Sequence, residues 1–154
     1  MKRKLHLIGK LHSVAGGLAL LIIAAFWVST VGSELFGTED DIRTVKLMIP
    51  WCFLVLIPSL ALAGGTGQVL GRGRTDPLIA RKSKRMPFIA ANGIVILIPA
   101  ALFLAYKADA YAFDATFYAV QVLELVMGAL NLALLGLNLV DGLRLTGRLA
   151  HTGR

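Results

Sequence analysis

One cysteine, Cys52, stands in 154 residues. A lone thiol excludes an intramolecular disulfide and any Cys-x-x-Cys redox or metal centre. Charge is scarce too. Asp, Glu, Lys and Arg make up 16% of the chain, where a soluble domain carries about a quarter. No nucleophile–base pair or paired catalytic acid can be recognised. The glycine-rich stretch Gly64–Arg74 lacks the Gly-Lys-Ser/Thr ending of a P-loop and follows an apolar helix, not a strand.

What the chain has instead is apolar residues, 56% of the total, with a mean hydropathy of +0.73. A membrane span needs about 20 of them. Four candidate helices emerge, over about 11–35, 45–63, 87–106 and 115–143. They use most of the chain and leave no soluble domain of useful size. The expected fold is an all-α integral membrane protein, a single domain over 1–154 built as an up-down-up-down bundle of four transmembrane helices. The basic start Met1-Lys2-Arg3-Lys4 has the look of a signal peptide. The apolar run from Val14 to Val31 is too long for one, so it reads as a retained first helix.

The basic residues give an orientation. Thirteen of the sixteen Lys and Arg lie before helix 1, between helices 2 and 3, or after helix 4. The other side holds Arg43, Lys46 and Lys107 together with six of the nine acids. Basic loops stay inside. Both termini are therefore expected in the cytoplasm, with the chain in a bacterial inner (plasma) membrane. The net charge of +7 is then a topology signal with a secondary affinity for anionic lipid headgroups. It does not call for nucleic acid.

Helix 4 carries a pattern. Gln121, Glu124, Gly128, Asn131, Leu135, Asn138 and Gly142 recur at alternating three- and four-residue spacing. Polar groups in lipid are costly, so this seam should face the bundle interior. Counting from helix ends puts Asn92 level with Asn138. It also puts Asn131 near carbonyls freed by Pro58 and Pro99, those of Leu54 and Val95. Glu124 is an intramembrane carboxylate and a proton-carrying or quinone-contacting candidate. Its structural alternative is a bond to Tyr106 or a pair with Lys46.

Helix 1 opens on His12-Ser13-Val14-Ala15-Gly16. An imidazole is a good haem ligand, and a glycine one turn away leaves room for a flat macrocycle. Arg3-Lys4-Leu5-His6 followed by His12-x-x-x-Gly16 resembles the first helix of PepSY-associated transmembrane proteins. It also resembles histidine-bearing helices of cytochrome b561-type membrane haem proteins. The resemblance is confined to this helix. It implies haem b on His12. The chain departs from those families because helices 2, 3 and 4 carry no second histidine. Met86 is a weaker sixth-ligand candidate, and His151 falls beyond helix 4. Met48, Trp51 and Cys52 form a faint soft-metal cluster.

Three function classes follow. The first is a non-catalytic membrane component or accessory subunit, with a membrane-protein partner or a second copy of itself. The second is a haem b-binding redox protein working with quinone. The third is a small proton-coupled transporter using Glu124 and the asparagines.

Overall fold

Long apolar stretches with few internal breaks make long helices, and the caps decide where they end. A computed structural model describes residues 2–149; His151 and Arg154 lie outside the described residues. The helices are α1 (Lys2–Phe36), α2 (Glu39–Gly71), α3 (Pro77–Asp109) and α4 (Ala115–Leu145). Each is long and apolar enough to cross a membrane. At 1.5 Å per residue each measures roughly 50 Å, well beyond a ~30 Å hydrocarbon core.

The ends differ from those read from hydropathy alone, which placed helix 2 at 45–63 and helix 3 from 87. Thr38 N donates to Asp41 Oδ2 at 2.8 Å and Asp41 N to Thr38 Oγ1 at 3.3 Å, a capping box that starts α2 in the acidic stretch. Asp76 Oδ1 accepts from Leu78 N at 2.8 Å, and Pro77 occupies the first turn of α3. The supposed glycine-rich loop from Gly64 to Arg85 is therefore helical except around Arg72–Asp76. Gly37 makes the tight link between α1 and α2. A Cβ there would stand 2.7 Å from the Ser33 carbonyl oxygen.

α3 contains a π turn over Asn92–Leu97. Pro99 has no N–H to return to Val95. The helix widens just before it, and Ile98 N–H donates to Gly93 O five residues back.

Neighbouring helices run antiparallel. On α1 and α2, His12 meets Ala63 and Phe26 packs edge-on against Phe53 at 6.3 Å. On α2 and α3, Arg43 meets Asp109. On α3 and α4, Asn92 meets Asn131 and Arg85 meets Asp141. α1 packs on α2 and α4, and α3 packs on the same two; among the described residues the backbones of α1 and α3 do not come close. At the acidic end Ile42, Leu104, Ala108 and Phe117 form a dry core. Toward the basic end the bundle opens into a cleft of about 1740 Å³. The outer surface is an apolar belt that includes Leu21, Val28, Trp51, Leu54, Val95 and Val126.

Candidate functional site

The polar seam of α4 turns inward along its length. Gln121, Gly128, Asn131 and Asn138 are buried, and Glu124, Leu135 and Gly142 are half-buried. Three polar clusters sit along it at successive depths, and each pairs α4 with another helix.

The deepest joins α2 to α4. Lys46 Nζ donates to Glu124 Oε2 at 2.5 Å, and Gln121 Nε2 lies 3.4 Å from the same oxygen. The Lys46 side chain is 1% exposed and that of Glu124 13%. Their helices do not pack backbone to backbone. A long lysine stem is therefore needed to span the bundle diagonal. Glu34 on α1 lies in the field of both groups, and its Oε1 is buried without a hydrogen-bond partner. Tyr106, the other partner expected for Glu124, is 75% exposed and makes no hydrogen bond to it. The tyrosine falls on the outward face of α3.

The middle cluster is an asparagine pair. Asn92 Nδ2 donates to Asn131 Oδ1 and to Met127 O, both at 2.9 Å, and Asn131 Nδ2 reaches Ile89 O at 3.4 Å. The expected levelling of Asn92 with Asn138 is thus corrected: Asn92 sits at the depth of Asn131. The reason is the start of α3 at Pro77, which invalidates counting from Met86. Asn131 likewise bonds Ile89 O instead of the Leu54 or Val95 carbonyl expected to be freed by proline.

The third cluster lies near the basic end. Arg85 Nη1 donates to Asp141 Oδ2 at 2.7 Å and to Asn138 Oδ1 at 3.3 Å. Asn138 Nδ2 lies 3.5 Å from Met86 Sδ, so this sulfur already has a polar neighbour. Sequence reasoning singled out neither Arg85 nor Asp141. The signal was there. Asp141 is an acid among the basic residues that close α4, beside Gly142 of the seam.

Across the cleft, His12 Nδ1 lies 2.9 Å from Ala63 O and 3.3 Å from Thr66 Oγ1. Gly67 gives the ring its space, since a Cβ there would come within 3.0 Å of His12 Cε1. With Nδ1 donating to a carbonyl, Nε2 is left as the free ring nitrogen. No group of three or more His, Cys, Asp or Glu residues that could hold a metal ion occurs among the described residues.

The cleft touches all of these clusters. Its lining includes His12, Met86, Asn131, Asn138 and, at the inner end, Glu124 and Trp27. Trp27 closes that end. Its Nε1 donates to Leu125 O at 3.0 Å, and its ring lies against Gly128, where a Cβ would meet Cδ1 at 3.3 Å. Comparison of the chain with protein families, curated proteins and solved structures gives no match. The functional reading rests on this geometry.

Proposed function

We propose that this chain is a multi-pass protein of the bacterial inner membrane with both termini in the cytoplasm, acting as a non-catalytic membrane component or accessory subunit. The observation that carries the reading is a division of labour. Glu124, Asn131 and Asn138 of the α4 seam bond within the bundle, across to α2 and α3. The outward face is an apolar belt. Interior polar bonds of this kind hold helices together in lipid, and the belt is a surface for acyl chains or for the helices of a partner. The one-sided placement of basic residues supports the orientation.

Single cysteines at Thr38, Thr75 and Ala112 on a Cys52→Ser background test the topology. A membrane-impermeant maleimide should label positions 38 and 112 in intact cells, and position 75 only after permeabilisation. The reverse pattern overturns the orientation. Purification in mild detergent tests the role. A stoichiometric protein partner or a defined homo-oligomer supports it. A strictly monomeric, coloured preparation overturns it in favour of haem.

That second reading has an observation of its own. A ligating imidazole commonly donates its other nitrogen to a carbonyl, and His12 is held in that manner by Ala63. Haem b, if bound there, would be held by His12, with Met86 as the weaker candidate, and would supply one-electron chemistry. A Soret band that disappears in His12→Ala supports this reading. A colourless protein that takes up no haem removes it.

A further inference from the structure

The cleft has a size, a polarity and a charge that the packing of four helices does not require. Its volume of about 1740 Å³ exceeds the 300–1,000 Å³ usual for drug-sized ligands. Its walls are apolar along most of their depth, with Leu20, Ile23, Phe53, Leu60 and Ile94 among them. Its mouth is not. Lys10 on α1, Arg72 and Arg74 after α2, Lys82 on α3 and Arg148 after α4 all border it. Glu124 is the one acid in the lining among the described residues, and it lies at the opposite, inner end.

Lys82 is the informative cation. Its Nζ lies 3.1 Å from the place a Cβ on Gly142 would occupy, so it rests against the bare backbone of α4. The acid whose charge reaches it, Asp141, is already bonded to Arg85 at 2.7 Å. Among the described residues Lys82 makes no hydrogen bond and no ion pair. Lys82 is half-buried while Lys10, Arg72, Arg74 and Arg148 are exposed, so Lys82 is the mouth cation least screened by water and salt and the one that gains most from an anion beside it.

The geometry points to a binding site for one anionic phospholipid of the cytoplasmic leaflet, its phosphate headgroup held by Lys82 and the neighbouring arginines and its acyl chains lying in the cleft. This rests on the orientation proposed above, which brings the mouth to the leaflet surface. Basic pockets between transmembrane helices on that side suit such headgroups. A neutral lipid would leave the mouth charges unanswered. A soluble anion would leave the long apolar walls empty.

The test uses the full chain reconstituted in vesicles of equal phosphatidylglycerol and phosphatidylcholine. Resistance to alkaline carbonate washing is measured first. The protein is then released in mild detergent and weighed by native mass spectrometry. One retained phosphatidylglycerol is expected, favoured over phosphatidylcholine by at least about five-fold, the effect of one basic residue beside an anionic headgroup. Lys82→Gln combined with Arg148→Gln should bring the ratio toward parity, and Lys82→Arg should keep it. Lys84→Gln, on the same helix but outside the lining, should leave it unchanged, and thermal unfolding in detergent verifies that each variant folds. Parity in the wild-type protein overturns the lipid site. So does an equal loss in Lys84→Gln, which would mean diffuse surface charge, or a neutral quinone or haem retained in place of lipid. A chain washed off by carbonate overturns the membrane reading along with it. A chain that resists washing but shows no headgroup preference overturns the site alone.

Discussion

Lys46→Met on α2 should destabilise the fold more than any single substitution along the α4 seam. The Lys46 side chain is 1% exposed, and its ammonium is 2.5 Å from Glu124 Oε2. Removing one member of a buried ion pair leaves the other charged and uncompensated, at a cost of about 3–5 kcal/mol. The two members are not equivalent. Lys46→Met strands Glu124 and leaves Glu34 beside it, two carboxylates without their cation. Glu124→Gln strands only Lys46, which keeps Glu34 within its field. The lysine variant should therefore fall near the upper end of that range and the glutamine variant near the lower end.

Replacing both partners changes the sign of the argument. An apolar pair of similar volume no longer bears the desolvation of two ions. Lys46→Met with Glu124→Leu should lie within about 1 kcal/mol of the wild-type protein, or above it. Reversible unfolding in mixed micelles, titrated with a denaturing detergent, measures all four proteins and gives the coupling energy directly. A coupling of about 3 kcal/mol or more is expected. Single variants that each cost under about 1 kcal/mol, with a double variant equal to their sum, would refute the buried-pair account and leave Lys46 as an ordinary interfacial lysine.

Asn131→Leu removes the acceptor of Asn92 and should cost about 0.6 kcal/mol, and no more than about 1.7 kcal/mol, in the same unfolding assay, since hydrogen bonds between helices in lipid average that little. Gly37→Ala should lower the unfolding midpoint, because its Cβ would stand 2.7 Å from the Ser33 carbonyl oxygen; an unchanged midpoint would mean the α1–α2 link yields freely. Asp114 caps α4 outside the spans. The Lys107 ammonium first, then the Thr116 hydroxyl and the Phe117 amide, hold its carboxyl far below the ordinary aspartate value of 3.8. A depressed folded value means stability that is present above the unfolded value and lost as pH falls toward the folded one. Asp114→Asn should therefore unfold more readily than wild type at neutral pH, with the gap closing below about pH 3–4.

The four helices and the inward seam were legible because apolar length marks a helix and burial of one helix face imposes a period. Gln121 through Gly142 kept it, and so α4 could be oriented without coordinates. Lys46 could be named as a partner for Glu124 on depth alone. Registers between helices were less legible, because depth counting needs true helix ends. α3 begins ten residues before its apolar segment does, on a cap formed by Asp76 and Pro77, and that offset moved Asn92 from Asn138 to Asn131. The π turn was hidden for a related reason. Pro99 announced a break, but a helix can answer a missing N–H by kinking, by borrowing a side chain or by widening, and local sequence does not choose among them. The Arg85–Asp141 pair depends on the same early start of α3, which makes Arg85 helical. Tyr106 was misplaced by the same counting, since depth says nothing about which face of a helix a residue occupies.

The cleft was the least legible feature, since it belongs to no single helix. It follows from an imbalance between the two ends of the bundle. At the acidic end every cation has an acid close by: Arg43 meets Asp109, Lys107 meets Asp114, and Lys46 meets Glu124 at 2.5–2.6 Å. Tyr111 adds a bond to Asp40 and stacks under Arg43. That end can close over the dry core at Phe117. At the basic end, Asp141 is the one acid engaged in an ion pair among the described residues, and Arg85 occupies it. Lys82 at that end makes no ion pair among the described residues, and the sequence lines the gap beside it with apolar side chains. A bundle meant only to span could have placed a few more acids there and closed. The same one-sided charge from which we propose the orientation thus borders the open end of the cleft.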